Sequence, residues 1–278
     1  MQFSHIIKIR KSLMVNNIRR VATKLVSTNP YIWNLAWKTI NKFSFLLPHD
    51  NSYWALRHFL HSDQDLFLDI GANTGISALS FRKMSKTVPI ISLEPNILHK
   101  ERLSKLKEQI PSFSFLLLGA GDTNGEIDFY TPIYKKIVLH TFTSTSEEQA
   151  FQAVEKNFGK KVSSRLFMKK TTANVIKIDD LNINPTIIKI DAEGYDYQVM
   201  IGAEKTIRQN KPYIMFEICW SHFTQIKTFF DNLDYQLYSY DCMHDCFQNF
   251  YEEDLGDSSE GKNIFAGPIT KKSLLPLI

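Results

Sequence analysis

Phe67-Leu68-Asp69-Ile70-Gly71-Ala72-Asn73-Thr74-Gly75-Ile76-Ser77 decides the fold, because an apolar strand here runs into a glycine-containing turn and then a helix. Such a join puts backbone N–H groups and a helix N-terminus at the carboxyl end of a first strand, where open α/β sheets bind ligands. Gly71 and Gly75 leave room for close approach of the backbone to a ligand, and a purely structural turn is the competing reading. The glycine spacing is G-x-x-x-G. A dinucleotide fingerprint needs G-x-G-x-x-G and a phosphate-binding P-loop needs a Gly-Lys-Ser/Thr ending; neither is present, which disfavours a nicotinamide oxidoreductase.

Outward from that stretch, short apolar runs alternate with helical periodicity. Strands are predicted at Leu66 to Ile70, Pro89 to Leu93, Phe113 to Leu118, Ile187 to Ile190, Tyr213 to Ile218 and Tyr235 to Tyr240. Between them Leu103, Leu106 and Ile110 form one helical stripe, Val199, Met200, Ala203 and Ile207 a second, and Phe223, Ile226, Phe230 and Leu233 a third. The repeated β-α-β order predicts an α/β fold with a mostly parallel sheet covered by helices on both faces. From Gly119 to Pro185 the alternation breaks. Asn124-Gly125 signals a turn, Glu126 to Tyr130 alternates as a half-exposed strand, and Val175 to Ile178 is its expected antiparallel mate. The interval between them is too long for a plain loop, and Ser146-Glu147-Glu148-Gln149 reads as a capping box opening a helix with Phe151, Val154 and Phe158 on its apolar face. Lys156, Lys160, Lys161, Arg165, Lys169 and Lys170 follow without an acid, as a solvated face or a basic flap over a substrate.

Glu94 ends the second apolar run, and Pro95 stops the strand behind it. A nucleoside site puts its ribose-reading acid there, where each charge-assisted bond to the diol contributes ~1.5–3 kcal/mol. A glycine turn without a phosphate cradle, joined to a ribose-reading carboxylate, suits S-adenosylmethionine better than NAD, because that cofactor has no pyrophosphate. Asp69 would face its ammonium or orient the turn. A third cluster, Ile187-Ile188-Lys189-Ile190-Asp191-Ala192-Glu193-Gly194, would project Asp191 and Glu193 to the same side of a strand tip, into the cleft beside Gly71.

These pieces resemble the FkbM-type S-adenosylmethionine-dependent methyltransferases. The matching segments are Leu68 to Gly75, Leu93-Glu94-Pro95-Asn96, Gly121 to Glu126, Ile178-Asp179-Asp180-Leu181, Ile188 to Gly194 with Gly202-Ala203, and Lys211-Pro212 before Glu217. The resemblance implies a Rossmann-like class I methyltransferase fold with a seven-stranded sheet, one strand antiparallel, and O-methylation of a hydroxyl on a sugar, glycan or polyketide-like small molecule. It implies cofactor contacts by Asp69, Gly71, Ala72, Asn73, Gly75, Glu94 and Pro95, with Ala120 and Asp122 near the adenine. For in-line displacement at the sulfonium methyl, Asp191, Glu193, Glu217 and His222 are the candidate bases, although a lone His beyond a strand is commonly structural. Asp191 and Glu193 would suit a divalent metal, but two carboxylates do not make a site, and no metal ligand is assigned. Cys242-Met243-His244-Asp245-Cys246 lacks the paired C-x-x-C spacing of a structural zinc site.

The net charge of +4 over 278 residues is unevenly spread. Residues 1–49 hold eight Lys/Arg and no acid; the other 25 Lys/Arg face all 29 Asp/Glu, so residues 50–278 carry −4. Ile6, Ile9 and Leu13, then Ile18, Val21, Ala22 and Leu25, recur at helical spacing, so residues 1–60 are expected to form a basic amphipathic helical extension ahead of a methyltransferase domain over 61–278, with an insert at 131–172. The extension would pack on the body or touch an anionic membrane surface. No secretory leader and no apolar run of membrane-spanning length is visible. Three cysteines make no disulfide framework, which fits a reducing, cytoplasmic setting with peripheral membrane contact through residues 1–49. Two other readings share the fold. A nucleic-acid methyltransferase would present an Asn/Asp-Pro-Pro-aromatic tetrad where Asp191-Ala192-Glu193-Gly194 stands, so nucleic acid is a disfavoured partner. A degenerate membrane-surface module would have no need of Gly71, Gly75 and Glu94.

Overall fold

Strands β1 (Phe67–Ile70) and β8 (Ile187–Ile190) are buried along their whole length, which is why their sequences are apolar at consecutive positions instead of alternating. The computed structural model describes residues 29–43, 48–62, 64–218, 222–254 and 262–277. The amphipathic segments expected between Ile6 and Leu25 lie outside the described residues.

β1 and β8 pair in parallel at the centre of the main sheet, flanked in parallel by β2 (Ile90–Leu93) and β3 (Phe113–Leu116) on one side and β9 (Tyr213–Glu217) on the other. Beyond β9 come β12 (Asn263–Pro268), β10 (Tyr235–Asp241) and β11 (Cys246–Asn249), each antiparallel to its neighbour. The order is β11-β10-β12-β9-β8-β1-β2-β3. The expected seven-stranded sheet with one antiparallel strand is thus corrected to a mixed sheet of eight, in which β11 and β12 both run against the rest. The eighth strand exists because Cys242 to Asp245 form a hairpin turn. Asp241 Oδ1 accepts the Met243 and His244 amides at 2.8 and 3.3 Å and sends the chain back along β10.

Alternate residues of the strands feed two cores. On one face Leu68, Ile188 and Phe216 meet Val199 and Met200 of α6 (Asp196–Gly202), Ile207 of α7 (Glu204–Asn210) and Ile226 and Phe230 of α8 (Phe223–Asp231). On the other, Phe67, Ile187 and Met215 meet α2 (Ile76–Phe81), α3 (Lys100–Gln109) and a 3-10 helix over Asn51–Phe59. That 3-10 helix buries Tyr53, Leu56 and Phe59, with Phe59 stacked on Tyr213 at 4.2 Å, so residues assigned to the extension are part of this core.

A second sheet of order β4-β7-β5-β6 hangs from the end of β3. β4 (Gly119–Ala120) pairs in parallel with β7 (Leu166–Ile176), and β5 (Gly125–Tyr134) pairs antiparallel with β7 as expected, but Glu126 to Tyr130 lie opposite Asn174 to Lys170, ahead of the predicted Val175 to Ile178. Both strands run further than the pattern indicated, and Ile178 belongs to a 3-10 turn instead of the strand. Between β6 (Ile137–Val138) and β7, the Ser146 hydroxyl accepts the Gln149 amide to cap α4 (Glu147–Phe158), and the short α5 (Lys160–Ser163) follows. Helix α1 (Pro30–Phe43) lays Trp33 against Phe142 and Phe158 of this insert. Among the described residues no helix is long and apolar enough to cross a membrane.

Candidate active site

The charged residues Asp69 and Lys189 interrupt the apolar central strands, and the register explains how both survive there: they lie opposite each other on β1 and β8. Asp69 is fully buried and accepts the hydroxyls of Ser77 at 2.6 Å and Ser92 at 2.8 Å. Lys189 Nζ stands 3.5 Å from Asp69 Oδ1 and 3.2 Å from Asp191 Oδ2, and donates to the carbonyls of Gly71 at 2.8 Å and Ile70 at 3.3 Å. Burial alone would lower the Lys189 pKa, but Asp191 and Asp69 outweigh it and raise it. The ammonium therefore ties the tips of β1 and β8 together. Of the two roles open to Asp69, its full burial, the two hydroxyls on Oδ2 and its absence from the linings of both chambers described below fit the orienting of the turn.

Gly71 has φ +77°, and a Cβ there would lie 1.8 Å from the Asp191 carbonyl oxygen. Gly75 has φ +79° as the N-cap of α2, and a Cβ there would strike Leu106 at 2.2 Å. Both glycines are thus demanded by close packing within the protein. Only Gly71 also borders open space, whereas Gly75 packs against α3.

Glu94 emerges at the tip of β2, 6% exposed, with Oε2 accepting the Asn73 amide at 2.7 Å and Oε1 the Asn96 amide at 2.8 Å. Burial pushes its pKa up to about 7 even though those two amide bonds favour the anion. A carboxylate offers about four lone-pair sites, so one on each oxygen is still open. They border a cleft of about 860 Å³ floored by Ile70, Gly71 and Pro95 and walled by Ala120, Ile127, Phe129 and Val175 of the second sheet. Among the described residues no Lys or Arg lines it. Gly71, Asn73, His140, Asp191 and Glu193 border both this cleft and a second chamber of about 1320 Å³, which Ala72, Trp33, Asn34, Arg102 and Glu217 also line.

The carboxylates gather here, but not by strand geometry. β8 ends at Ile190, and Glu193 takes a left-handed φ of +51°, so the expected pleat does not set the Asp191–Glu193 relationship. A tight turn does, held by buried Asp196, which accepts the Ala192 and Gly194 amides at 3.0 and 3.2 Å. Loss of surrounding water, then Asp191 and Asp196, push Glu193 up to about 7. Burial, then Asp191 and Glu193, push Glu217 up to about 8. Two expected site residues stand elsewhere. His222 begins α8, stacked on Tyr197 at 6.4 Å, and borders neither chamber. Asp122 follows β4 near Tyr195 and likewise borders neither.

Residues 69–242 match the profile of the methyltransferase FkbM domain. The chain belongs to the FkbM methyltransferase family. Among solved structures it is similar to a methyltransferase FkbM from Methylobacillus flagellatus KT, at 14% identity and a TM-score of 0.46 over 91% of this chain and 60% of that one. A precorrin-6y C5,15-methyltransferase from Geobacter metallireducens GS-15 gives 9% identity and a TM-score of 0.42 over 78% of this chain and 86% of that one. The chain spans 60% of the length of the first of these. No curated protein matches it.

The FkbM domain also brings in residues that no motif flagged. His99 and His140 face each other at 4.5 Å between ring centres, and Arg102 lies three residues beyond His99. His140 comes from the insert, about forty positions from its partner, so no spacing could have announced the pair. Among the described residues no group of three or more His, Cys, Asp or Glu could hold a metal ion. Cys242 and Cys246 are free thiols, His244 is bonded to Asp241 at 2.6 Å, and Asp245 is taken by Arg57, His58 and Tyr240.

Proposed function

We propose that this methyltransferase moves the methyl group of S-adenosylmethionine to a hydroxyl of a sugar, glycan or polyketide-like small molecule. The observation that carries the reading is the environment of Glu94: a buried carboxylate with one open lone pair on each oxygen, at the edge of a mostly apolar slot that no Lys or Arg among the described residues lines. Those open acceptors suit a ribose diol, the slot between Pro95, Ala120 and Phe129 suits a purine, and a lining without Lys or Arg among the described residues disfavours a pyrophosphate. Glu94, Gly71, Asn73, Pro95 and Ala120 would hold the cofactor, which when bound supplies a sulfonium-activated methyl.

The chain's own contribution is alignment and removal of the acceptor proton. Glu193 and Glu217, with pKa values near 7 and 8, can each be ionised and then protonated close to neutral pH, which is what a general base requires. Lys189 fixes the orientation of Asp191 beside them. Calorimetric titration with S-adenosylhomocysteine, together with labelled-methyl transfer into glycan and small-metabolite fractions, tests the reading. Binding, with label in products stable to mild alkali as ethers are, is the expected result. No nucleoside binding, or label confined to alkali-labile esters or to nucleic acid, contradicts it.

A further inference from the structure

Arg102 stands in the first turn of α3, three residues after His99, so the two side chains share one face of the helix start. Its Nε donates to the Thr74 carbonyl at 3.0 Å, which holds the guanidinium beside the glycine turn at the wall of the second chamber. That bond uses one of five N–H donors. Neither terminal nitrogen has a partner among the described residues, and the side chain is half-buried. Glu101, its neighbour on the helix, is exposed and paired with Lys105.

Asp191, Glu193 and Glu217 line the same chamber, but among the described residues no carboxylate is paired with this guanidinium. His99 is 4% exposed and packs on His140, whose Nδ1 is buried with no partner among the described residues. Burial holds both imidazoles below their ordinary pKa, so they are neutral at pH 7 and each can still donate one N–H. Lys189, the other cation lining the chamber, is already saturated by Asp69, Asp191 and two carbonyls. A half-buried guanidinium with an open fork, at the wall of a chamber that neutral His140 also lines, is built to take a planar or tetrahedral anion.

We infer that Arg102 binds an anionic group, a carboxylate or a phosphate, of a molecule held in the second chamber. Two sources carry that chemistry: the amino-acid carboxylate of the methyl donor, which rests on the function proposed above, and an acidic group on the acceptor, which would make the acceptor an anionic hydroxyl compound.

Calorimetry on the full chain separates the two, using Arg102→Gln and Arg102→Lys beside the wild type. The probes are S-adenosylhomocysteine, 5′-methylthioadenosine, which has the same nucleoside without the amino-acid tail, and inorganic phosphate. If the donor's carboxylate is the ligand, Arg102→Gln weakens S-adenosylhomocysteine tenfold or more and leaves methylthioadenosine unchanged, with partial recovery in Arg102→Lys. If the acceptor supplies the anion, both nucleosides bind all variants alike and phosphate binds the wild type but not Arg102→Gln. Unchanged methylthioadenosine binding also certifies that the variant is folded. Equal binding of S-adenosylhomocysteine and of phosphate, or of neither, by wild type and Arg102→Gln overturns the inference. Should the wild type bind neither nucleoside, the proposed function fails, and the phosphate arm alone decides the role of Arg102.

Discussion

The strand tips around Gly71, Glu94 and Asp191 and the insert sheet of β5 to β7 border the same cleft, yet they are built by different rules. At the tips the backbone approaches are tight and the central ion pair is buried. Asp69 and Lys189 are 0% and 4% exposed and locked together, and the Gly71 turn touches the Asp191 carbonyl. In the insert the ion pair Lys170–Asp128 lies open to solvent, and a Cβ at Gly159 would meet nothing within 4 Å. The tips fix chemistry to within fractions of an ångström; the insert only has to supply a wall. Substitutions in the two regions should therefore differ sharply in cost.

The largest contrast is between glycines. Gly71→Ala forces a methyl into a backbone carbonyl at φ +77°, and a cost above ~5 kcal/mol is expected, seen as loss of soluble, folded protein. Gly159→Ala, with φ +79° but open space, should cost ~1–3 kcal/mol by urea denaturation. Equal costs would dissolve the comparison.

Next in size is the removal of a cation. Lys189→Met leaves Asp69 buried without its counter-charge and should cost ~3–5 kcal/mol, part of which Asp69→Asn in the same chain restores. Lys170→Met in the insert should leave the denaturation midpoint unchanged.

Ligand binding sharpens the contrast further. Glu94→Gln removes the charge from two ribose bonds, each worth ~1 kcal/mol more when charge-assisted than when neutral, and should weaken S-adenosylhomocysteine by about 10- to 100-fold. Phe129→Leu on the insert wall should cost much less, because one apolar surface replaces another.

The smallest effect is on pH. With its pKa raised to about 7, free Glu94 is largely protonated at pH 6, and a ligand that bonds to the anion favours its ionisation. Nucleoside affinity should therefore rise several-fold from pH 6 to 8 and level off above, and Glu94→Gln should flatten that rise. Stability runs the other way. Glu94, Glu193 and Glu217 hold protons in the folded chain that the unfolded chain releases near 4.5, so stability should fall as pH climbs from about 4.5 through 7 to 8.

The same contrast explains what the sequence made legible. β1, β2, β8 and β9 were readable because burial on both faces demands continuous apolar runs, and Glu94-Pro95 was readable because proline ends a strand. β11 and β12 were not: β11 has only Cys246 and Phe247 buried and so shows no continuous apolar run, and Gly267-Pro268 in β12 carries turn-like residues inside a strand. β5 was read only as far as Tyr130 because Pro132 masks its continuation to Tyr134. Within the site, Asp69 inside β1 and Glu94 just past the end of neighbouring β2 are both acids in apolar runs and look alike as letters. Only packing separates an acid sealed under the turn from one that opens on the cleft. The convergence of His99, Arg102 and His140 depends on how the insert folds back, which no local pattern encodes.

The decisive measurement is a crystal structure of the chain soaked with S-adenosylhomocysteine. Both ribose hydroxyls are expected within hydrogen-bonding distance of the Glu94 carboxylate, with the sulfur directed toward Asp191 and Glu193. A nucleoside bound elsewhere, or bound in the cleft with its ribose away from Glu94, would contradict that placement.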